Sequence, residues 1–240
     1  LRYVGGKERI AKWVVENLLA VRGDTTRYVE PFVGGAAILT RMVDYFEEAE
    51  AGDSHEDLVL LLQAAAYGWA PPMRVTKEEY FAAKAAEPSA LRGAIGFGSS
   101  WGAKWFGGYV DTPYDKHWDR LSKPHAGALS EALQKAAPKL AKARIYHQGY
   151  KDWVVGKGDL VYCDPPYSGT LGYHGGKFDS AEFWQVMGKW VENGAVVVVS
   201  EVSAPEGWAV LAERTRKAFL RVASQEENEV RAERLFIKDG

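Results

Sequence analysis

The chain has 240 residues, 47% of them apolar and 26% charged, the proportions of an ordinary soluble globular protein with length for a substantial core. One cysteine, Cys163, excludes a disulfide framework and a cysteine-based zinc site and fits a reducing cytoplasm; no apolar run reaches membrane-spanning length, and no signal-peptide pattern is visible. The net charge of −2 is low for a nucleic-acid binder, yet residues 70–150 carry twelve Lys or Arg against seven Asp or Glu, which makes that stretch +5 and the remainder −7. Such segregation either steers a polyanion or is a chance excess on solvated helices.

Ile10, Trp13, Val14, Leu18 and Leu19 fall at helical spacing and predict a helix over 7–20. Arg27–Glu30 reads as the first strand, 31–35 as a tight loop and 36–46 as a helix. Ala51-Gly52-Asp53 reads as a short second strand, and 57–69 as a strongly apolar helix. Pro71-Pro72 marks a subdomain boundary. Thr76 is placed to cap a helix over 76–86 through Glu79. Residues 93–109 hold six glycines among Phe97, Trp101, Trp105, Phe106 and Tyr109, a pattern of neither helix nor strand. An alanine-rich helix over 125–142, strands over 144–148 and 159–163, and an amphipathic helix over 178–191 follow. The valine run in 195–200 suits a central strand covered on both faces. Residues 204–213 look helical, and 219–222 and 233–238 a final strand pair. Strands alternating with helices predict a doubly wound α/β sheet.

The strand at 159–163 ends in Asp164-Pro165-Pro166-Tyr167. The Asp164 carboxylate can accept a hydrogen bond from an amine. The prolines fix φ and donate nothing, which leaves nearby carbonyls free to accept. Tyr167 offers a flat face. The four suit a flat ring with an exocyclic NH2; the bland alternative is a proline-rich turn after a core strand. Upstream, Gly34 and Gly35 let the backbone approach a ligand closely. Asp53 lies 18 residues after Gly35, near the spacing at which an acid reaches ribose hydroxyls, or it is a turn residue or helix cap. Ligands of doubly wound sheets bind beyond the carboxyl ends of the strands, so the two segments can line one cleft.

Three segments, in this order, resemble the Dam-type (alpha group) DNA adenine methyltransferases: Arg2-Tyr3-Val4-Gly5-Gly6-Lys7, Tyr28-Val29-Glu30-Pro31-Phe32-Val33-Gly34-Gly35, and Asp164-Pro165-Pro166-Tyr167. The resemblance implies a Rossmann-like, mostly parallel methyltransferase fold, with a catalytic domain of residues 1–69 and 144–240. Residues 70–143 would be an inserted target-recognition subdomain, mainly helix and loop. It implies S-adenosylmethionine as methyl donor and no metal. The substrate would be the N6 amine of an adenine flipped out of double-stranded DNA. Tyr3 and Lys7 would meet the cofactor, Lys7 at its carboxylate. Asp53 would grip the ribose, near Gly34, and Phe32 would face the sulfonium or serve the core. Asp164 and the carbonyl of Pro165 would each accept a hydrogen bond from one N–H of the amine, with Tyr167 stacked on the base. Tyr3 stands where the family more often has Trp, and Asp53-Ser54-His55 where it usually reads Asp-Ile-Asn.

Arg92, Lys104 and Trp105 are the expected DNA contacts of the middle region, although a Gly-aromatic loop is as often a hydrophobic plug. Tyr173 and His174 either close over the base or are simple loop residues. The expected enzyme is a cytoplasmic monomer without membrane contact. The competing readings are an amino-methyltransferase acting on cytosine, RNA or a protein amide, and a catalytically silent DNA-binding module. A nicotinamide dehydrogenase would leave Asp164–Tyr167 without a role.

Overall fold

The structure, a computed structural model, describes residues 6–110, 114–115, 120–121, 124–166, 178–219 and 228–238. Along the chain run α1 (Ala11–Val21), β1 (Arg27–Glu30), α2 (Leu39–Met42), β2 (Glu48–Asp53), α3 (Glu56–Ala66), α4 (Lys77–Ala85) and α5 (Ala90–Gly98). After these come β3 (Tyr114–Asp115), β4 (Arg120–Leu121), α6 (His125–Leu140), β5 (Arg144–His147), β6 (Asp159–Cys163), α7 (Ser180–Glu192), β7 (Val196–Glu201), β8 (Ala209–Phe219) and β9 (Asn228–Ile237). The seven-stranded sheet has the order β5-β2-β1-β6-β7-β9-β8. β2–β5, β1–β6 and β6–β7 pair in parallel, while β9 pairs antiparallel with both β7 and β8. The expected Rossmann-like, mostly parallel sheet is therefore present. β3 and β4 make a separate two-stranded ribbon.

The chain forms two compact units, Leu1–Lys12 with Glu30–Asp152, and Trp13–Val29 with Trp153–Gly240. In the second, β6 is buried throughout and β7 from its second residue onward. This is the two-sided burial that consecutive valines imply. Arg27 donates to Asp159 with Nε at 2.8 Å and Nη2 at 2.7 Å, and Asp159 also accepts the Gly156 N–H. A bidentate pair of this kind fixes geometry as well as adding energy, here the register in which β1 meets β6. Residues 209–213, expected to be helical, are instead the start of β8. Ala, Leu and Glu favour a helix locally, but Val210 pairs with Phe236 of β9 and Trp208 packs edge-on against Trp184 at 4.9 Å. Tertiary pairing overrides a propensity worth only tenths of a kcal/mol per residue.

In the first unit, α5 and α6 pack on α3, and α4 on α5. Thr76 and Glu79 form the expected reciprocal cap of α4, at 3.1 and 2.7 Å. The helix expected from Ala36 begins only at Leu39, because Ala36 turns the chain at φ 55°. The larger correction is in residues 93–109, which open with a true helix, α5. Its glycines are contact points. A Cβ on Gly93 would lie 2.3 Å from the Asp57 carbonyl oxygen, and one on Gly96 2.3 Å from the Trp105 ring. One on Gly98 would lie 2.4 Å from Leu129. The packing needs glycine, and it compensates for a residue type that weakens helices by about 1 kcal/mol each.

Candidate active site

Asp53 is the last residue of β2 and is nine-tenths buried. Its Oδ2 accepts the Gly34 N–H at 3.1 Å and its Oδ1 the His55 N–H at 3.0 Å. Gly34 reaches this position at φ 45°, in a loop tied to β2 by the Val33 N–H on the Gly52 carbonyl at 2.9 Å. The carboxylate thus joins the glycine loop to the strand end. A carboxylate has about four acceptor positions, so the N–H groups of Gly34 and His55, with that of Ser54 nearby, leave capacity for a hydroxyl. That acceptor fits a ribose hydroxyl of S-adenosylmethionine. Burial pushes the Asp53 carboxyl above its ordinary range, against the lowering by the His55, Gly34 and Ser54 N–H groups and by His147.

The direction has consequences of opposite sign. The ionised group is the stronger acceptor for a hydroxyl, so acidification through the raised pKa should weaken cofactor binding, starting at a higher pH than an exposed aspartate would give. The same protonation relieves the cost of burying the charge, so this residue's contribution to folding becomes less unfavourable as pH falls. At neutral pH, Asp53→Ala should weaken the cofactor by about 1–3 kcal/mol. Calorimetric titrations across pH, with thermal melts alongside, check both signs; a pH-independent affinity in the wild type would remove Asp53 from the ribose.

Phe32, expected at the sulfonium, is half-buried and stacks on Tyr150 at 5.4 Å and 27°. Tyr150 follows β5, and the chain between them is held by the Gln148 N–H on the Asp53 carbonyl. Nothing in the sequence singled out Tyr150, since a lone aromatic after a short strand carries no pattern. Lys7 sits in a short 3-10 turn (Lys7–Arg9) and is only 6% exposed, unusual for a lysine. In the second unit, Asp164 follows β6 directly and is half-buried, with Pro165 buried and Pro166 half-buried. Tyr3, Tyr167, Tyr173 and His174 lie outside the described residues.

Of the expected DNA contacts, Arg92 and Trp105 are engaged within the first unit. Arg92 pairs with Asp57 at 2.6 Å, and its guanidinium lies over the Trp105 ring at 5.2 Å. Trp105 also meets the His55 ring edge-on at 4.3 Å and Phe97 at 4.7 Å. His55, at the departure from the family pattern, is thus a buried packing surface for the Gly-aromatic segment. Lys104 is exposed. Three further basic residues of that stretch are paired: Lys139 and Lys142 with Asp44, Arg144 with Glu48 and Glu50. Among the described residues no group of three or more His, Cys, Asp or Glu is placed to hold a metal ion, and no helix is long and apolar enough to cross a membrane.

Residues 3–82 match the family model of the D12 class N6 adenine-specific DNA methyltransferases. The resemblance read from the motifs is borne out over that stretch, which contains Lys7, Gly34 and Asp53; Asp164 lies beyond it. No curated protein matches the chain. Among solved structures, an rRNA methylase from Streptococcus thermophilus aligns at 7% identity and TM-score 0.41, covering 95% of this chain and 94% of its own. Magnesium protoporphyrin IX methyltransferase (ChlM) from Synechocystis PCC 6803, with bound SAM, aligns at 10% and 0.38, covering 98% and 81%. These likenesses are loose, and the fold assignment rests on the strand order itself.

Proposed function

From residues 3–82, which carry the signature of the D12 class N6 adenine-specific DNA methyltransferases, we propose that the chain transfers a methyl group from S-adenosylmethionine to the N6 amine of adenine in double-stranded DNA. The observation that carries this reading is the Asp53 carboxylate, held between β2 and the glycine loop with acceptor capacity left for a ribose. The cofactor, when bound, supplies a methyl activated by its sulfonium. Asp53 would orient it through the ribose, and Lys7 through its carboxylate. Asp164 would accept a hydrogen bond from one N–H of the amine and the Pro165 carbonyl from the other. The nitrogen lone pair, otherwise delocalised into the ring, would then point at the methyl. Transfer would release the cofactor as its thioether, S-adenosylhomocysteine, and one proton of the amine. Tyr167 would stack on the base once it leaves the duplex. The work asked of these residues is positioning and preorganised electrostatics.

Transfer of labelled methyl to DNA of varied sequence, mapped by digestion, tests the activity, the base and the recognition site together. Label on adenine N6 supports the reading; label on cytosine, on RNA alone, or nowhere overturns it. Within the same proposal, the exposed Lys104 contacts a phosphate, while Arg92 and Trp105 act by holding its loop. Lys104→Ala should therefore weaken DNA binding and reduce the salt slope by about one, with cofactor affinity unchanged. Salt titrations that keep the wild-type slope would move the phosphate contact elsewhere.

A further inference from the structure

His55 belongs to two structures at once. Its backbone N–H donates to Asp53 Oδ1 at 3.0 Å. Its carbonyl accepts the Leu58 and Val59 N–H groups at 3.0 and 3.1 Å, which starts α3. The residue is only 3% exposed, and its ring meets Trp105 edge-on at 4.3 Å and Phe97 at 5.2 Å. The backbone therefore serves the candidate ribose acid, while the side chain is set into the Gly-aromatic segment.

The far side of that contact is closely built. Trp105 lies against Phe97 and Phe106, each at 4.7 Å, and Gly96 leaves room for its ring. The Phe106 N–H donates to the Gly96 carbonyl, and the Trp101 N–H to that of Gly108. Ala103 and Phe106 have φ of 57° and 41°. Residues other than glycine keep such angles only where surrounding contacts enforce them. Among the described residues the only other case is Ala36, next to Gly34 and Gly35. The two enforced turns stand at the ends of one run of contacts, from the 100–109 loop through Trp105, His55 and Asp53 to Gly34. Close-packed interiors transmit strain along such a run. Without the His55 ring a hole would open beside Trp105, and the 53–55 turn would lose the anchor that aims its N–H at Asp53.

Resting on the cofactor reading of Asp53 above, we propose that His55 is a positioning residue, whose ring, clamped by Trp105 and Phe97, holds its N–H on Asp53 and so couples the 100–109 loop to the cofactor site. Such a coupling is reciprocal: a loop in place strengthens cofactor binding, and bound cofactor steadies the loop.

The test is calorimetric titration of the full chain with S-adenosylmethionine. His55→Ala should weaken binding about fivefold or more, and Trp105→Ala, one contact further from Asp53, should also weaken it. His55→Phe keeps a ring and should recover most of the loss. Trp101→Ala, in the same loop but 74% exposed, should bind the cofactor as the wild type does. In an Asp53→Asn background, His55→Ala and Trp105→Ala should cost little more, because the group they act through is already altered. A merely structural role would instead leave the losses additive. Hydrogen exchange at the Trp101 and Phe106 amides should slow when cofactor is added to the wild type, and should not respond in His55→Ala. Additive losses overturn the inference, as do wild-type loop amides that ignore the cofactor, a result that stands even if His55→Ala fails to fold. The failures are distinguishable: a wild type that binds no S-adenosylmethionine overturns the functional reading as well, whereas His55→Ala binding it normally overturns only this assignment.

Discussion

Asp164→Ala should abolish methyl transfer and leave a folded protein. The residue lies just past the last ladder position of β6 and is half-buried, so its loss removes no strand pairing. What it removes, in the proposed mechanism, is the acceptor of a hydrogen bond from the amine. A positioned acceptor of this kind contributes about 10²–10⁴ in rate, so turnover should fall by at least the lower figure. Asp164→Asn keeps the shape and loses the charge. It should fall nearly as far, which separates electrostatics from packing. Single-turnover transfer, with melting curves and DNA binding measured on the same samples, checks this. Turnover at the wild-type level with the alanine would refute the mechanism, whereas collapse of the fold in both variants would give Asp164 a structural duty instead.

The second large effect is expected at Asp57. Its side chain is 4% exposed, in the first turn of α3, where the helix dipole already favours an acid. One oxygen accepts the Ser89 N–H at 2.9 Å and the other pairs with Arg92 at 2.6 Å. Ser89 in turn caps α5 through the Arg92 N–H at 3.1 Å. A single carboxylate therefore fastens the start of α3 to the start of α5. Asp57→Ala strands a guanidinium that is only 20% exposed, together with an orphaned N–H. Breaking a buried pair from one side costs about 3–5 kcal/mol, and the partial exposure of Arg92 puts the expectation near the lower figure. In a chain of this size that lowers the melting temperature by roughly 6–12 °C. Arg92→Ala should also melt early, and the double variant should cost less than the two singles together. If Arg92→Ala melts like the wild type and only loses DNA, the residue faces the phosphates after all.

How much of this was legible in the sequence depended on whether the signal was local. β1 and β6 appear at the boundaries the apolar runs gave, Arg27–Glu30 and Asp159–Cys163, and the Thr76 cap appears with its Glu79 partner. These features are decided by residues within a few positions of one another. The failures were decided at a distance. β8 exists because of β9, and α5 exists because Asp57, Trp105 and Leu129 stand where its missing side chains would be. Trp101 and Trp105 look alike in sequence, and no nearby residue says which will be covered. Asp53 was legible as a candidate by its spacing. Its bond to the Gly34 N–H was not, because it depends on how the loop closes over β2.

Helix α5 also bears on the order in which the first unit assembles. A nine-residue segment with glycine at 93, 96 and 98 is shorter than helices that persist alone in water, and it nucleates poorly. It cannot act as an early seed onto which α3 and α6 condense; those two apolar helices must first make the slot. The 100–109 loop inherits this dependence, because Trp105 and Phe106 close over Gly96. This corner of the first unit is therefore expected to form late, since beyond the Ser89 cap its stability comes from its neighbours.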